Sequence, residues 1–94
     1  MNIVELVDKE RIKKDTVKDA VAFALSGNWS EAVDTNQSII DKFPLDVEAH
    51  NRLGKAYSEL GQNDQALKAF KTSLGIRTQN DIARKNIERL ENLV

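Results

Sequence analysis

Shifting the sequence against itself by thirty-four residues places Gly27 on Gly61, Ala32 on Ala66, Phe23 on Tyr57, Val33 on Leu67 and Ile40 on Leu74. The identities are few, but they fall at the glycine that closes one helical pattern and at the small residue that opens the next, where steric limits are tightest. Each period holds two helix-length apolar stripes, so the repeating unit is a helical hairpin. A single hairpin cannot bury its apolar face, and such units fold only by stacking on one another. The stack is therefore the folding unit.

Composition agrees. The 94 residues are 40% hydrophobic and only 5% aromatic, which suits one small domain packed through aliphatic side chains and alanine. One proline and four glycines leave little material for the turns of an all-β fold. A net charge of −1 and a pI near 5.8 argue against phosphate-backbone binding, which needs a basic surplus, so no nucleic-acid partner is expected. The absence of cysteine excludes disulfides, thiolate metal sites and cysteine nucleophiles. No apolar run is long enough to span a bilayer, and the start, MNIVELVDKERIKK, mixes acids with its apolar residues, so a soluble, cytoplasmic protein without membrane contact is expected. The pattern stops at Leu93-Val94 without a polar tail, as in a domain cut from a longer protein.

Met1 to Ser26 contain neither glycine nor proline, so helix can run through nearly all of them. Ile3, Val4 and Val7 form a short apolar face ahead of a charged run, and Asp15-Thr16, both favourable at helix N-caps, predict a bend or break. Val17 to Leu25 are apolar almost all the way round, which predicts a helix covered on more than one side, in the middle of the fold. After Gly27, Asn28 with Glu31 has the form of a capping box for a second helix carrying Trp29, Ala32, Val33, Ile39, Ile40 and Phe43, interrupted by Asn36. Pro44 stops it. Asp46 can cap a third, where His50, Leu53, Gly54 and Tyr57 stand at helical spacing and Leu60 extends the face. A glycine in that position costs about 1 kcal/mol relative to alanine, so close approach of another backbone is expected to offset it. Gly61 ends this helix, Asn63 and Asp64 can cap a fourth with Ala66, Leu67, Phe70, Ser73 and Leu74, and Gly75 weakens its end. Asn80 or Asp81 can cap the last, whose face is Ile82, Ile87, Leu90 and Leu93.

The second unit resembles the tetratricopeptide repeat family, with Leu53-Gly54, Tyr57, Gly61, Ala66 and Phe70 at that family's spacing. The first unit keeps Phe23, Gly27, Ala32 and Pro44, and has Ala20 and Asn36 where the second has Gly54 and Phe70. His50 stands in place of the family's tryptophan, Ser73 in place of an alanine and Thr78 in place of a proline. The resemblance covers about residues 13 to 80. It implies an all-α fold, a right-handed stack of antiparallel helical hairpins divided into an N-terminal helical extension (1–12), two repeats (13–46 and 47–80) and a capping helix (81–94).

The resemblance also implies a non-catalytic protein-interaction module, because such repeats bind peptides or partner helices on the concave face lined by the first helix of each unit. Thirty-four-residue steps put Val17, Asn51 and Lys85, then Val21, Lys55 and Arg89, on that face, with Leu25, Glu59 and Leu93 at its edge. One end is apolar, and the basic end suits a carboxylate or an acidic segment. The lysine and asparagine set that grips chaperone C-termini in some family members is not expected here, since Val17 and Val21 occupy its places. The alternative is a structural role in self-association. In that reading Val17, Val21 and Leu25 are covered by Ile3, Val4 and Val7 or by a second copy of the chain, giving a homodimer, and the three basic residues are solvated charges. Trp29 reads either as cover for a helix junction or as an exposed anchor for a partner.

Catalysis finds no constellation. His50, the single histidine, occupies a core aromatic position and reads as a packed imidazole, and neither a zinc site nor a serine triad can be completed around it. Glu5, Asp8 and Glu10 lie among lysines and arginines at helical spacing as a solvated face. No glycine-rich phosphate loop is present, and no cofactor is expected.

Overall fold

In a computed structural model that describes residues 2–93, the chain forms five helices: α1 (Ile3–Leu25), α2 (Trp29–Lys42), α3 (Val47–Glu59), α4 (Asn63–Ile76) and α5 (Asp81–Glu91). Each packs chiefly against its neighbour in sequence, so the fold is an extended stack of 49 × 29 × 17 Å. Two clusters fill it. The first gathers Ala20, Ile39, Ile40, Ala49, Leu53 and Ala69; the second gathers Ala66, Phe70, Ala83 and Leu90, and Tyr57 packs against both.

The hairpin turns repeat as the sequence does. Gly27 and Gly61 have φ of 74° and 75°, the left-handed region that favours glycine. In each, the next residue's N–H returns to the carbonyl five back, Asn28 to Phe23 at 2.8 Å and Gln62 to Tyr57 at 2.9 Å, which makes both turns Schellman motifs. This closure also overturns the expected capping at the second and fourth helices. Asn28 and Gln62 occupy the N-cap places with nearly identical backbones, ψ 72° and 71°, and neither side chain caps. Asn28 donates instead to the Ser26 hydroxyl, and Asn63 and Asp64 lie inside α4. Where no Schellman turn sets the entry, side-chain caps form: Asp46 accepts from the Ala49 N–H at 3.0 Å and Asn80 from the Ala83 N–H at 3.1 Å.

Gly54 meets an aromatic ring where a backbone was expected. A Cβ built on it would lie 2.7 to 2.8 Å from three carbons of the Phe70 ring, and Phe70 is fully buried, so the ring has no space into which to move. The glycine is the floor of the phenylalanine's pocket. Thirty-four residues earlier, the same two places hold Ala20 and Asn36, both buried. Both polar atoms of the Asn36 amide are bonded, Nδ2 donating to the Ala32 carbonyl at 2.8 Å and Oδ1 accepting from Arg52 Nε at 2.8 Å. A shorter, flat amide at 36 is compatible with a Cβ at 20, and Arg52 reaches across from α3 to complete its hydrogen bonding.

The first helix departs from the sequence reading in two ways. It runs without a break through Asp15-Thr16, where Thr16 donates its hydroxyl back to the Ile12 carbonyl at 2.7 Å instead of capping, and the N-terminal box forms at Asn2, whose side chain accepts from the Glu5 N–H at 2.8 Å. It also lies at the end of the stack and not in its middle. Its inner face is held by Ala20, by Lys9 and Lys13 over the Phe43 ring at 4.9 and 4.5 Å, and by Lys13 paired with Asp46 at 2.7 Å. The outer apolar residues remain exposed, Leu25 by 84%.

Two outcomes test this packing. Gly54→Ala should lower stability by about 1–3 kcal/mol through overpacking despite its better helix propensity, and the cost should shrink when Phe70→Leu accompanies it; Phe70→Ala alone should cost about 3–5 kcal/mol. Urea melts of the wild type, the single variants Gly54→Ala, Phe70→Leu and Phe70→Ala, and the Gly54→Ala/Phe70→Leu double decide, and additive effects in the double would separate the two residues. Burial pushes the Asp46 carboxyl up, but the hydrogen bonds from Lys13 and the Ala49 N–H, with the charges of Lys13 and Arg52, outweigh it and hold the carboxyl below its ordinary value. Its stabilisation is therefore complete above the ordinary carboxylate range and lost as pH falls through the lowered value. Asp46→Ala should cost about 1 kcal/mol near neutrality, and the gap between wild type and variant should narrow once acid has protonated Asp46.

Candidate functional site

Three of the basic and acidic residues expected on the first helices meet on one exposed surface. Lys55 Nζ pairs with Glu59 one turn along α3 at 2.7 Å. From α5, Arg89 donates to the Ser58 hydroxyl at 2.8 Å and to Asn86 Oδ1 at 3.1 Å, which carries its guanidinium to the same end of α3. The Glu59 carboxyl is held below its ordinary range by the Lys55 hydrogen bond first, then by the Lys55 charge, with Arg89 adding to both against the opposing effect of desolvation. Lys55 also stands 6.0 Å from the centre of the Trp29 ring, so the start of α2 borders the patch. Trp29 is half-buried. Lys85 is exposed one helical turn before Arg89.

Asn51 is placed differently from its expected role. It is 7% exposed, and its amide forms a buried polar knot among three helices. Asn51 Oδ1 accepts from the Ser73 hydroxyl at 2.7 Å, Asn51 Nδ2 donates to Asn80 Oδ1 at 3.2 Å, and Asn80 Nδ2 donates to Ser73 Oγ at 2.8 Å. Because Asn80 also caps α5, the knot fixes the last helix against α3 and α4, and so sets where Lys85 and Arg89 stand. Ser73, a departure from the family's alanine, is what turns Asn51 inward. In the first unit the equivalent places are Val17 and Ile39, and the cap residue Asp46 is secured from α1 by Lys13.

Val17, Val21 and Leu25 share a separate surface. With Ala22 they form an open apolar strip on α1 alone, edged by Glu10, Lys13, Lys14 and Lys18. Val17 has its other side against the first buried cluster. His50 is buried, and its Nε2 lies 2.8 Å from the Pro44 carbonyl oxygen. A carbonyl only accepts, so Nε2 carries the proton and the ring ties α3 to the turn that precedes it. Among the described residues no cluster of histidine or acidic side chains has the arrangement of a metal site, and no helix is long and apolar enough to cross a membrane.

Glycine-closed hairpins of thirty-four residues, an aromatic seated on a helical glycine and a first-helix surface carrying the charged residues define a repeat of the tetratricopeptide class. A tetratricopeptide repeat family model matches residues 36–68, which run from the middle of α2 into α4. Among solved structures, a mutant form of MamA superimposes with a TM-score of 0.80 and 23% identity over 94% of this chain and 48% of that one. That likeness is one of fold, and the chain spans about half the length of that structure. No curated protein matches the sequence significantly.

The site's electrostatics are testable without a ligand. Lys55→Gln should move the Glu59 titration, followed by carboxyl NMR, back up toward its ordinary value, and Arg89→Gln should move it in the same direction by less. A Glu59 titration unchanged in both variants would dissolve the cluster.

Proposed function

We propose that the protein is a non-catalytic interaction module whose α3–α5 surface binds a peptide or helix of a partner protein through a carboxylate or a short acidic segment. The observation that supports it most is that Lys55 and Arg89, from the first helices of successive units, are both held at the end of α3, Lys55 paired with Glu59 and Arg89 bonded to the neighbouring Ser58. A partner's carboxylate at this place gains charge-assisted hydrogen bonds from two cations already held in position. Lys85 extends the cationic track by a turn, and Trp29 offers an apolar edge beside it. Asn51 serves the site from inside, by fixing α5. The strip of Val17, Val21 and Leu25 extends the binding face toward the apolar end of the stack.

A second reading, self-association, is favoured by a specific feature of α1. Because the helix is unbroken from Ile3 to Leu25, Ile3, Val4 and Val7 cannot fold back over Val17, Val21 and Leu25 of their own chain. The apolar residues at both ends of α1 are left exposed.

Capture from the source lysate tests the leading reading. Proteins retained by the wild type and identified by mass spectrometry should be lost or weakened at least about tenfold, equivalent to 1.4 kcal/mol, when Lys55→Glu and Arg89→Glu are combined, and retention should weaken with added salt. Equal capture by the double variant would remove the basic face from the site.

A further inference from the structure

The outer face of α1 carries a seam whose spacing and charges fit one partner in particular. Ile3, Val7, Glu10, Lys14, Val17 and Val21 are separated by alternating steps of four and three residues, the a/d pattern that two helices use to pack along their length. The pattern is apolar at both ends and charged at its centre, with the acid before the base. It borders the flank that holds α2, where Lys9 and Lys13 cover Phe43 and Ala20 is buried, and Val17 is half-buried along that border, one side against the first buried cluster. Ile3, Val7 and Val21 are exposed by 80%, 58% and 40%. Neither Glu10 nor Lys14 has an ion-pair partner in the chain among the described residues, although Arg11 and Lys13 on either side of the helix do.

We infer that this seam pairs with the same seam of a second copy, antiparallel, about a two-fold axis at Ile12. The inference rests on the self-association reading and specifies its geometry. The positions sum to twenty-four in facing pairs: Ile3 meets the partner subunit's Val21, Val7 meets the partner subunit's Val17, and Glu10 meets the partner subunit's Lys14. By symmetry each contact occurs twice, as a closed two-fold interface requires. The charges choose the direction. A parallel pair would set Glu10 against Glu10 and Lys14 against Lys14, whereas the antiparallel pair neutralises all four. The same arrangement covers the overhanging N-terminal end of each α1 with the apolar strip of the other.

The chain has no cysteine, which makes the geometry easy to read. In a variant carrying Ile3→Cys and Val21→Cys, the two sites lie about 27 Å apart along one helix at 1.5 Å per residue, so no disulfide forms within a chain. Mild oxidation should give a covalent dimer from this double variant and none from either single variant. In sedimentation between about 1 μM and about 1 mM, Glu10→Lys or Lys14→Glu alone should weaken the dimer about tenfold, two ion pairs being replaced by two like-charge contacts. Combining them should restore association to within about twofold, with far-UV circular dichroism unchanged throughout. A wild type that stays monomeric across the range overturns the pairing and the self-association reading together. A dimer indifferent to the single charge changes, or single-cysteine variants that cross-link, overturns this register and leaves self-association standing by another face.

Discussion

The seating of Phe70 on Gly54 is the contact on which the second unit depends. A planar ring can approach a helix axis this closely only where the Cβ is missing, and the ring in turn fills the space that a glycine leaves. Around it lie Ala66, Ala83 and Leu90, so one aromatic joins α3 and α4 and supports the packing of α5. The glycine's conformational cost is offset by burial of a whole phenylalanine side chain, worth roughly 1.5–3 kcal/mol by area alone. Alanine at 54 would regain the helix propensity and lose the fit.

The first unit reaches the same architecture with other chemistry. Ala20 and Asn36 take the places of Gly54 and Phe70, and the polar amide is made acceptable in the interior by Ala32 and Arg52. At the helix entries, Asp46 and Asn80 stand in equivalent places and both cap. Asp46 is secured by an ion pair from α1, and Asn80 by the knot with Asn51 and Ser73. The knot is buried and uncharged, whereas the Lys13–Asp46 pair is partly open to solvent and responds to acid. The two ends of the stack therefore differ in their sensitivity to pH.

These internal differences arrange the surfaces. Fixing α5 through Asn80 puts Arg89 beside Ser58 and within influence of Glu59, so the polar interior of the second unit governs the cationic face outside it. Continuity of α1 has the opposite effect at the other end, presenting an unaccompanied helix face with apolar ends. One molecule thus offers a polar surface made by two helices and an apolar seam made by one.

The sequence alone determined the period and the all-α stack, because these depend on local requirements that a residue type announces: glycine for a left-handed turn, Pro44 for a stop, Asp46 for a side-chain cap, apolar residues at helical spacing; between Asn80 and Asp81 as the last cap, the fold chose Asn80. The sequence also marked Gly54 as a place of close approach. What approaches, a ring in the second unit and an amide with a borrowed arginine in the first, was decided by side chains sixteen residues away in the chain and visible only once the helices were packed. The same holds for Asn51, which has the spacing of a surface residue and is drawn inward by Ser73 and Asn80. At Asp15-Thr16 the cap propensity goes unused, the Thr16 hydroxyl bonding within the continuous helix, and the length of the exposed α1 face follows from that continuity. Periodicity fixes which residues share a face; only the tertiary structure decides what that face is packed against.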